Sequence, residues 1–372
     1  MINKNTLRAA ALAASLALGL AACGGNDDHH DNNSSQVTTF NETLLDSDGS
    51  VANTKPDPDL QNGWGVTFNP TATMWVSDNN AHKSSLFDGN GNVQSLVVSI
   101  PDGAAGPAGP TGIIFNPTTD FSITSNGATS NAVFIWATDA GTIAAWSPKV
   151  LPTEAVTAFD DAVNNGGANY KGITMVTIGG ENRLYATDFH NAKVDTFDAQ
   201  FNKIAPAANQ FVDPNMPAGF APFGIQHIGN SVFVTYAQQN AAKNAQVVGD
   251  GLGVLDEFDL SGNFVRRIVS NGGVLNAPWG IVLAPANFGP QSGMLLVGNF
   301  GSGFIEVFNP TTGQDMGKLM LGNGQPFQQS GLWGMSFGNN VDNQPSNTIF
   351  FAAGPSKTTG VFGRIDPVTT TH

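Results

Sequence analysis

From residue 62 onward the chain repeats one short pattern six times, and no other feature limits its fold as strongly. The pattern is an aromatic or proline-bearing segment, a glycine and a hydrophobic strand. The copies are Asn62-Gly63-Trp64-Gly65-Val66, Gly109-Pro110-Thr111-Gly112-Ile113, Asn169-Tyr170-Lys171-Gly172-Ile173, Ala221-Pro222-Phe223-Gly224-Ile225, Ala277-Pro278-Trp279-Gly280-Ile281 and Gly331-Leu332-Trp333-Gly334-Met335. Their aligned glycines stand 47, 60, 52, 56 and 54 residues apart. Each copy runs on into a second β-rich segment (residues 74–78, 133–139, 183–188, 232–236, 294–299 and 348–352). A third segment follows and ends in a turn (85–89, 142–147, 194–198, 254–259, 304–309 and 361–366). Most copies add a looser fourth run, such as residues 93–100 or 263–269.

Four strands in a repeat of about 40–60 residues make one blade of a β-propeller. The short connections predict antiparallel neighbours. Blades bury both faces, which accounts for strands that are apolar throughout rather than alternating. The expected fold is therefore all-β, a six-bladed β-propeller of four-stranded antiparallel blades. The sixth repeat runs out of chain after its third strand. Residues 40–46 (FNETLLD) precede the first repeat and read as a strand, so they are expected to complete the last blade and close the ring.

Composition agrees with this and excludes some partners. Only 12% of residues are charged, against about 25% in an average protein. The chain carries 44 Gly and 21 Pro and a formal charge of −14. An excess of carboxylates without clustered Lys or Arg argues against nucleic acid.

The N-terminus reads as an address. Lys4 and Arg8 precede a 14-residue apolar run from Ala9 to Ala22, broken only by Ser15. That is too short for a bilayer of about 30 Å and fits a signal peptide. It ends Leu20-Ala21-Ala22-Cys23, which resembles the lipobox of bacterial lipoproteins. The resemblance implies cleavage before Cys23, acylation of Cys23 and membrane anchoring through that lipid. Cys23 is also the single cysteine of the chain, so no disulfide is expected. Gly24, rather than Asp, after the cysteine implies the outer membrane by the same resemblance. Residues 1–22 are then the signal, residues 23–39 a polar tether and residues 40–372 the propeller.

The repeats are similar to NHL-type propellers, in which a P-x-G-I strand is followed by a V-A-D run. Residues 58–65 (PDLQNGWG), 221–226 (APFGIQ), 276–280 (NAPWG) and 296–301 (LVGNFG) resemble segments of an uncharacterised family of exported bacterial propeller proteins. That resemblance implies fold and export. The family has no established reaction and carries over no catalytic residue.

Topology selects the face where function is expected. First strands start, and second strands end, on one side of the ring. That side is expected to collect Trp64, Tyr170, Phe223, Trp279, Trp333, Tyr236 and Asn299, the candidate ligand face, together with the long loops 153–169 and 237–252. The insertion at 116–131 falls on the opposite side. Asp78, Asp139 and Asp188 are candidate ligands for Ca²⁺, with structural turn caps as the competing role. His190, His227 and Asp188 are the candidate acid–base set of an alternative reading, a metal-assisted hydrolase or lyase of lactonase type. Against it, the chain has no G-x-S-x-G, H-E-x-x-H or Walker motif, and the strand-one positions nearest the axis hold Thr67, Thr174, Gln226 and Ser336 rather than carboxylates. The sequence thus favours a cell-envelope lipoprotein whose propeller binds a glycan, small molecule or protein. A purely architectural role is the third reading.

Overall fold

The structure is a computed structural model that describes residues 36–161 and 167–371. Cys23, the signal peptide and most of the expected tether lie outside the described residues. Strand β1 (Gln36–Ser47) comes first and is followed by the two-residue β2 (Lys55–Pro56). Blade 1 contains β3 (Gly63–Phe68), β4 (Met74–Asp78), β5 (Lys83–Phe87) and β6 (Val98–Ser99). Blade 2 starts with β7 (Pro110–Phe115), carries the inserted hairpin β8 (Ser122–Ser125) and β9 (Ala128–Asn131), and continues with β10 (Phe134–Thr138), β11 (Thr142–Trp146) and β12 (Val156–Asp160). Blade 3 is β13 (Tyr170–Ile178), β14 (Glu181–Asp188), β15 (Lys193–Phe197) and β16 (Lys203–Ile204). Blade 4 is β17 (Phe220–Ile228), β18 (Ser231–Gln238), β19 (Gly253–Asp259) and β20 (Phe264–Val269). Blade 5 is β21 (Pro278–Leu283), β22 (Leu295–Asn299), β23 (Ile305–Phe308) and β24 (Asp315–Lys318). Blade 6 has β25 (Leu332–Phe337), β26 (Ile349–Ser356) and β27 (Thr359–Thr371).

The expected six-bladed ring is what the chain forms. Strand β1 pairs antiparallel with β27 from Gln36↔Thr371 to Ser47↔Val361, with a bulge between Leu44 and Asp46. It supplies the outer strand of blade 6, and β2 adds a short fifth strand parallel to it. The clasp begins at Gln36, four residues before the boundary read from the sequence. The loop expected at 153–169 differs in a second way: its residues 156–160 are β12, the outer strand of blade 2.

Packing follows the repeat. One apolar cluster fills each blade interface. Trp75, Phe134, Trp136 and Trp146 lie between blades 1 and 2, and Leu60, Val76, Phe87, Phe350 and Phe362 join blade 1 to blade 6. The other interfaces are filled in the same manner. The turns between third and fourth strands of blades 1, 3 and 4 share one device. Asp88 Oδ1 accepts from the backbone N–H groups of Asn90 and Asn92, and Asp198 and Asp259 repeat the arrangement. These are Asx turns that fix the hairpin locally.

In every blade the ladder between the first two strands slips at the repeat glycine, between Gly63 and Val66 in blade 1, Tyr170 and Ile173 in blade 3, and at the matching sites elsewhere. A bulge frees two residues from pairing and re-aims their side chains. The second of the pair is the glycine. A Cβ on Gly65 would lie 2.6 Å from Thr111 O, on Gly224 2.0 Å from Trp279 O, and on Gly334 2.3 Å from Trp64 O. The six glycines thus let each first strand lie against the next, all the way round, and the axial channel shrinks to about 40 Å³.

Candidate ligand pocket

The residue before each glycine is the other one that the bulge re-aims. Around the ring these are Trp64, Thr111, Lys171, Phe223, Trp279 and Trp333. Four of them meet over the axis. Trp64 stacks on Trp333 with centroids 3.6 Å apart, Trp279 stands edge-on to both, and Phe223 meets Trp64 and Trp333 from the side. Phe300 stacks on Trp333 at 4.1 Å, and Phe189 closes the group against Phe223. Trp64, Phe223, Trp279 and Trp333 are all at most 9% exposed. Their faces are spent on one another, so they form a plug over the channel and not an open stacking platform.

Above the plug lies a pocket of about 480 Å³ on the expected face, lined by residues of several blades and by Asn244, Ala245 and Gln246 of the long blade 4 loop. Its wall is a chain of amides. Trp333 Nε1 donates to Asn62 Oδ1 (3.2 Å), Asn62 Nδ2 to Asn79 Oδ1 (3.0 Å), and Asn79 Nδ2 to Asp139 Oδ2 (3.3 Å). Asp139 Oδ1 accepts from Gly109 N (2.9 Å), and Asn169 Nδ2 donates to Asp139 O (2.5 Å). Two lining residues hold buried polar atoms without a hydrogen-bond partner, Asn169 Oδ1 and Trp64 Nε1.

Lys171 is the exception in its register, the one cation among aromatics and a threonine. It lines the pocket, is 5% exposed, and holds Nζ 5.1 Å from the Trp64 ring centroid. Among the described residues it forms no ion pair. Burial draws its pKa down to about 8; Asp139 opposes the change and Lys357 adds to it.

The other residues singled out in the sequence do not gather here. Tyr170 is buried between blades 2 and 3, where its hydroxyl donates to Asp195 Oδ2 (2.9 Å). Tyr236 lies between blades 3 and 4 with its hydroxyl unpartnered. Asn299 is fully buried and holds a turn, accepting from Asn276 N (2.8 Å) and donating to Phe304 O (3.3 Å). Asp78 is fully buried beside Ser85, and burial pushes its carboxyl well above the usual range. Asp188 caps the turn after β14, accepting from Asn169 N and Asn191 N (both 3.2 Å). Of the three candidate metal ligands only Asp139 lines the pocket. Among the described residues, no three His, Cys, Asp or Glu side chains gather closely enough to hold a metal ion.

His190 and His227 sit at opposite ends of the ring. His190 follows β14 on the pocket side. His227 lies near the far end of β17, and its Nε2 donates to Gly229 O (2.9 Å). Sequence reasoning missed Lys171, Asn62 and Asn169 as wall residues. For Lys171 a signal was present, a cation in a register of apolar and aromatic side chains. For the asparagines there was none, because Asn is common in turns.

No family profile matches the chain. An uncharacterised protein of Acanthamoeba polyphaga mimivirus is 31% identical over 304 residues, which cover 81% of this chain and 79% of the viral protein. A second uncharacterised mimivirus protein is 29% identical over 320 residues, covering 85% and 77% of the two chains. The chain belongs to the family of the first of these proteins. These relatives are viral, whereas the segments quoted above resemble exported bacterial proteins. Among solved structures, a Bacteroides thetaiotaomicron protein of unknown function aligns with a TM-score of 0.55 at 9% identity, over 90% of this chain and 77% of its own. Virginiamycin B lyase from Staphylococcus aureus aligns with a TM-score of 0.51 at 13% identity, over 89% of this chain and 100% of its own. At such identities the likeness is one of fold.

Proposed function

We propose that the ring is a binding module that takes a small polar ligand into the pocket on the side where its first strands begin. One observation carries this reading: a pocket of about 480 Å³ walled by Asn62, Asn79, Asp139, Asn169 and Lys171 stands over an axial channel of only about 40 Å³. Concave sites with a few converging polar groups are the usual form of small-molecule sites. The hydrolase or lyase alternative lacks such convergence, because Asp188 is occupied as a turn cap and His190 and His227 face opposite ends.

We further propose that the protein is exported and held at the bacterial cell envelope by a lipid on Cys23, in the outer membrane. This rests on the residues Leu20-Ala21-Ala22-Cys23 and the apolar run before them.

The binding reading is tested by thermal melts of the full chain in detergent against a library of sugars, amino acids and other small polar molecules. Hits should raise the melting temperature of the parent and lose that effect in Asn79→Leu. A library that shifts nothing overturns it. The anchoring reading is tested by detergent phase partition: the parent should enter the detergent phase and Cys23→Ser the aqueous phase. Equal partition rejects the anchor.

A further inference from the structure

A buried cation without a counter-charge is an expensive thing to keep. Lys171 is one. Its Nζ faces the pocket, its Trp64 contact leaves the charge unneutralised, and no carboxylate lies within ion-pair distance among the described residues. Asp139, the acidic residue of the wall, has each carboxylate oxygen engaged, by Gly109 N and by Asn79 Nδ2. The other charged residue of the lining, Lys357, is itself a cation. The lining therefore carries two cations against one carboxylate, and that carboxylate stands outside ion-pair distance of Lys171.

The rest of the wall has a different chemistry. Amide groups both donate and accept, which suits hydroxyls. Asn169 Oδ1 and Trp64 Nε1, on two of the lining residues, are buried without a hydrogen-bond partner. Unmet buried polar atoms are costly unless something supplies their hydrogen bonds.

From these two observations we infer that the ligand is an acidic saccharide, its acid group paired with Lys171 and its hydroxyls on the Asn62–Asn79–Asp139–Asn169 wall. This rests on the pocket being the binding site. The acid group restores a counter-charge in a partly dry site, where a charge-assisted hydrogen bond is strong. The charged groups facing the amine are Asp139 and Lys357. A bound anion favours protonated Lys171, so the amine's pKa rises on binding. Because the free amine titrates near pH 8, binding at pH 8 takes up about half a proton. Above that, affinity falls about tenfold per pH unit until the pKa of the complex is reached.

The probes are galacturonate, galactose 6-phosphate and galactose, titrated calorimetrically into the full chain in detergent. Titrations at pH 6.5 and 8 use two buffers of different ionisation enthalpy. An acid sugar should bind at least tenfold more tightly than galactose, with proton uptake at pH 8. The carboxylate and phosphate arms show which acid group the site takes. Lys171→Met should weaken the acid sugar about 10- to 100-fold and galactose by a much smaller factor. Lys171→Arg should keep binding and lose the pH dependence, which a merely structural role for the residue would not produce. Galactose binding as tightly as both acids, or acid binding indifferent to Lys171→Met, overturns this inference and leaves the pocket reading in place. Neither acid binding at all overturns it too; if the wider polar library is also silent, the pocket reading falls with it.

Discussion

At the scale of single residues the ring depends on where side chains are absent. Gly224 is the extreme case: a Cβ there would lie 2.0 Å from Trp279 O and 2.9 Å from its carbonyl carbon, both backbone atoms of the neighbouring first strand. Backbone packed between two blades has little room to step aside, so the blades must separate. Gly224→Ala is expected to destabilise by about 3 kcal/mol or more, at or beyond the top of the usual overpacking range. It should appear as a lower urea midpoint at unchanged slope, and a midpoint equal to the parent's would reject the close-approach account. The glycine register was legible in the sequence because it recurs. The role of its neighbours was only half legible. Trp64, Phe223, Trp279 and Trp333 could be placed on one face, but whether four rings offer their faces to a ligand or to each other depends on side-chain angles that spacing does not carry. Tyr170 and Tyr236 show the same limit. Tyr170 stands one residue earlier than the re-aimed position, and Tyr236 is on a second strand, so both point into blade interfaces.

At the scale of elements the clasp carries the closure. Strand β1 covers the edge of β27 that would otherwise be open, and its Phe40 inserts between blades 5 and 6 with its ring centroid 4.6 Å from that of Phe288. Phe40→Ala should cost about 3–5 kcal/mol, the usual loss for a buried phenylalanine. Deleting residues 36–47 removes the whole ladder and exposes a long edge. The deleted protein is expected to unfold without a sharp transition or to aggregate, and a synthetic peptide of residues 36–47 should restore a cooperative melt. A deletion variant that melts like the parent would reject the closure. The clasp was legible because the last repeat lacked a fourth strand and residues 40–46 had the pattern to supply one. The outer strands elsewhere were not. Strands β6 and β16 pair over only two residues, and β12 was read as loop. Outer strands touch solvent on one side, so their composition carries less of the apolar signal that marks inner strands.

At the scale of the whole molecule the buried carboxyls set a pH dependence. Burial raises Asp46 to about 7 and Asp256 to about 8, and it raises Asp57 and Asp78 as well. Asp46 has no hydrogen bond to either oxygen. Arg267 relieves Asp256 only in part, because its guanidinium is committed to Asp213 and its Nε stands 3.5 Å from Asp256 Oδ1, so burial still prevails. Each raised carboxyl binds its proton more tightly in the folded chain than in the unfolded one. Stability is therefore greatest below the ordinary carboxylate range and is lost as pH rises toward the folded values, between about 4 and 8. Two effects bound this slope. The turn carboxyls Asp88, Asp198 and Asp259 are slightly buried, but their hydrogen bonds outweigh that and hold them below the usual range, so their contribution is lost as pH falls through those lowered values. Lys171, lowered to about 8, binds fewer protons folded than unfolded above that pH and returns some stability there. The −14 formal charge adds self-repulsion as carboxyls ionise, in the same direction as the buried groups. The expected profile thus peaks on the acid side of neutrality and declines by roughly a few kcal/mol toward pH 8. Urea titrations at half-unit steps from pH 4 to 9 measure it. Asp46→Asn should flatten the profile up to about pH 7 and Asp256→Asn up to about pH 8, each making the protein more stable than the parent at the alkaline end. A parent profile that rises from pH 5 to 8, or variants with the parent's slope, would show that these carboxyls ionise freely and that the interfaces holding them are wetter than the fold describes.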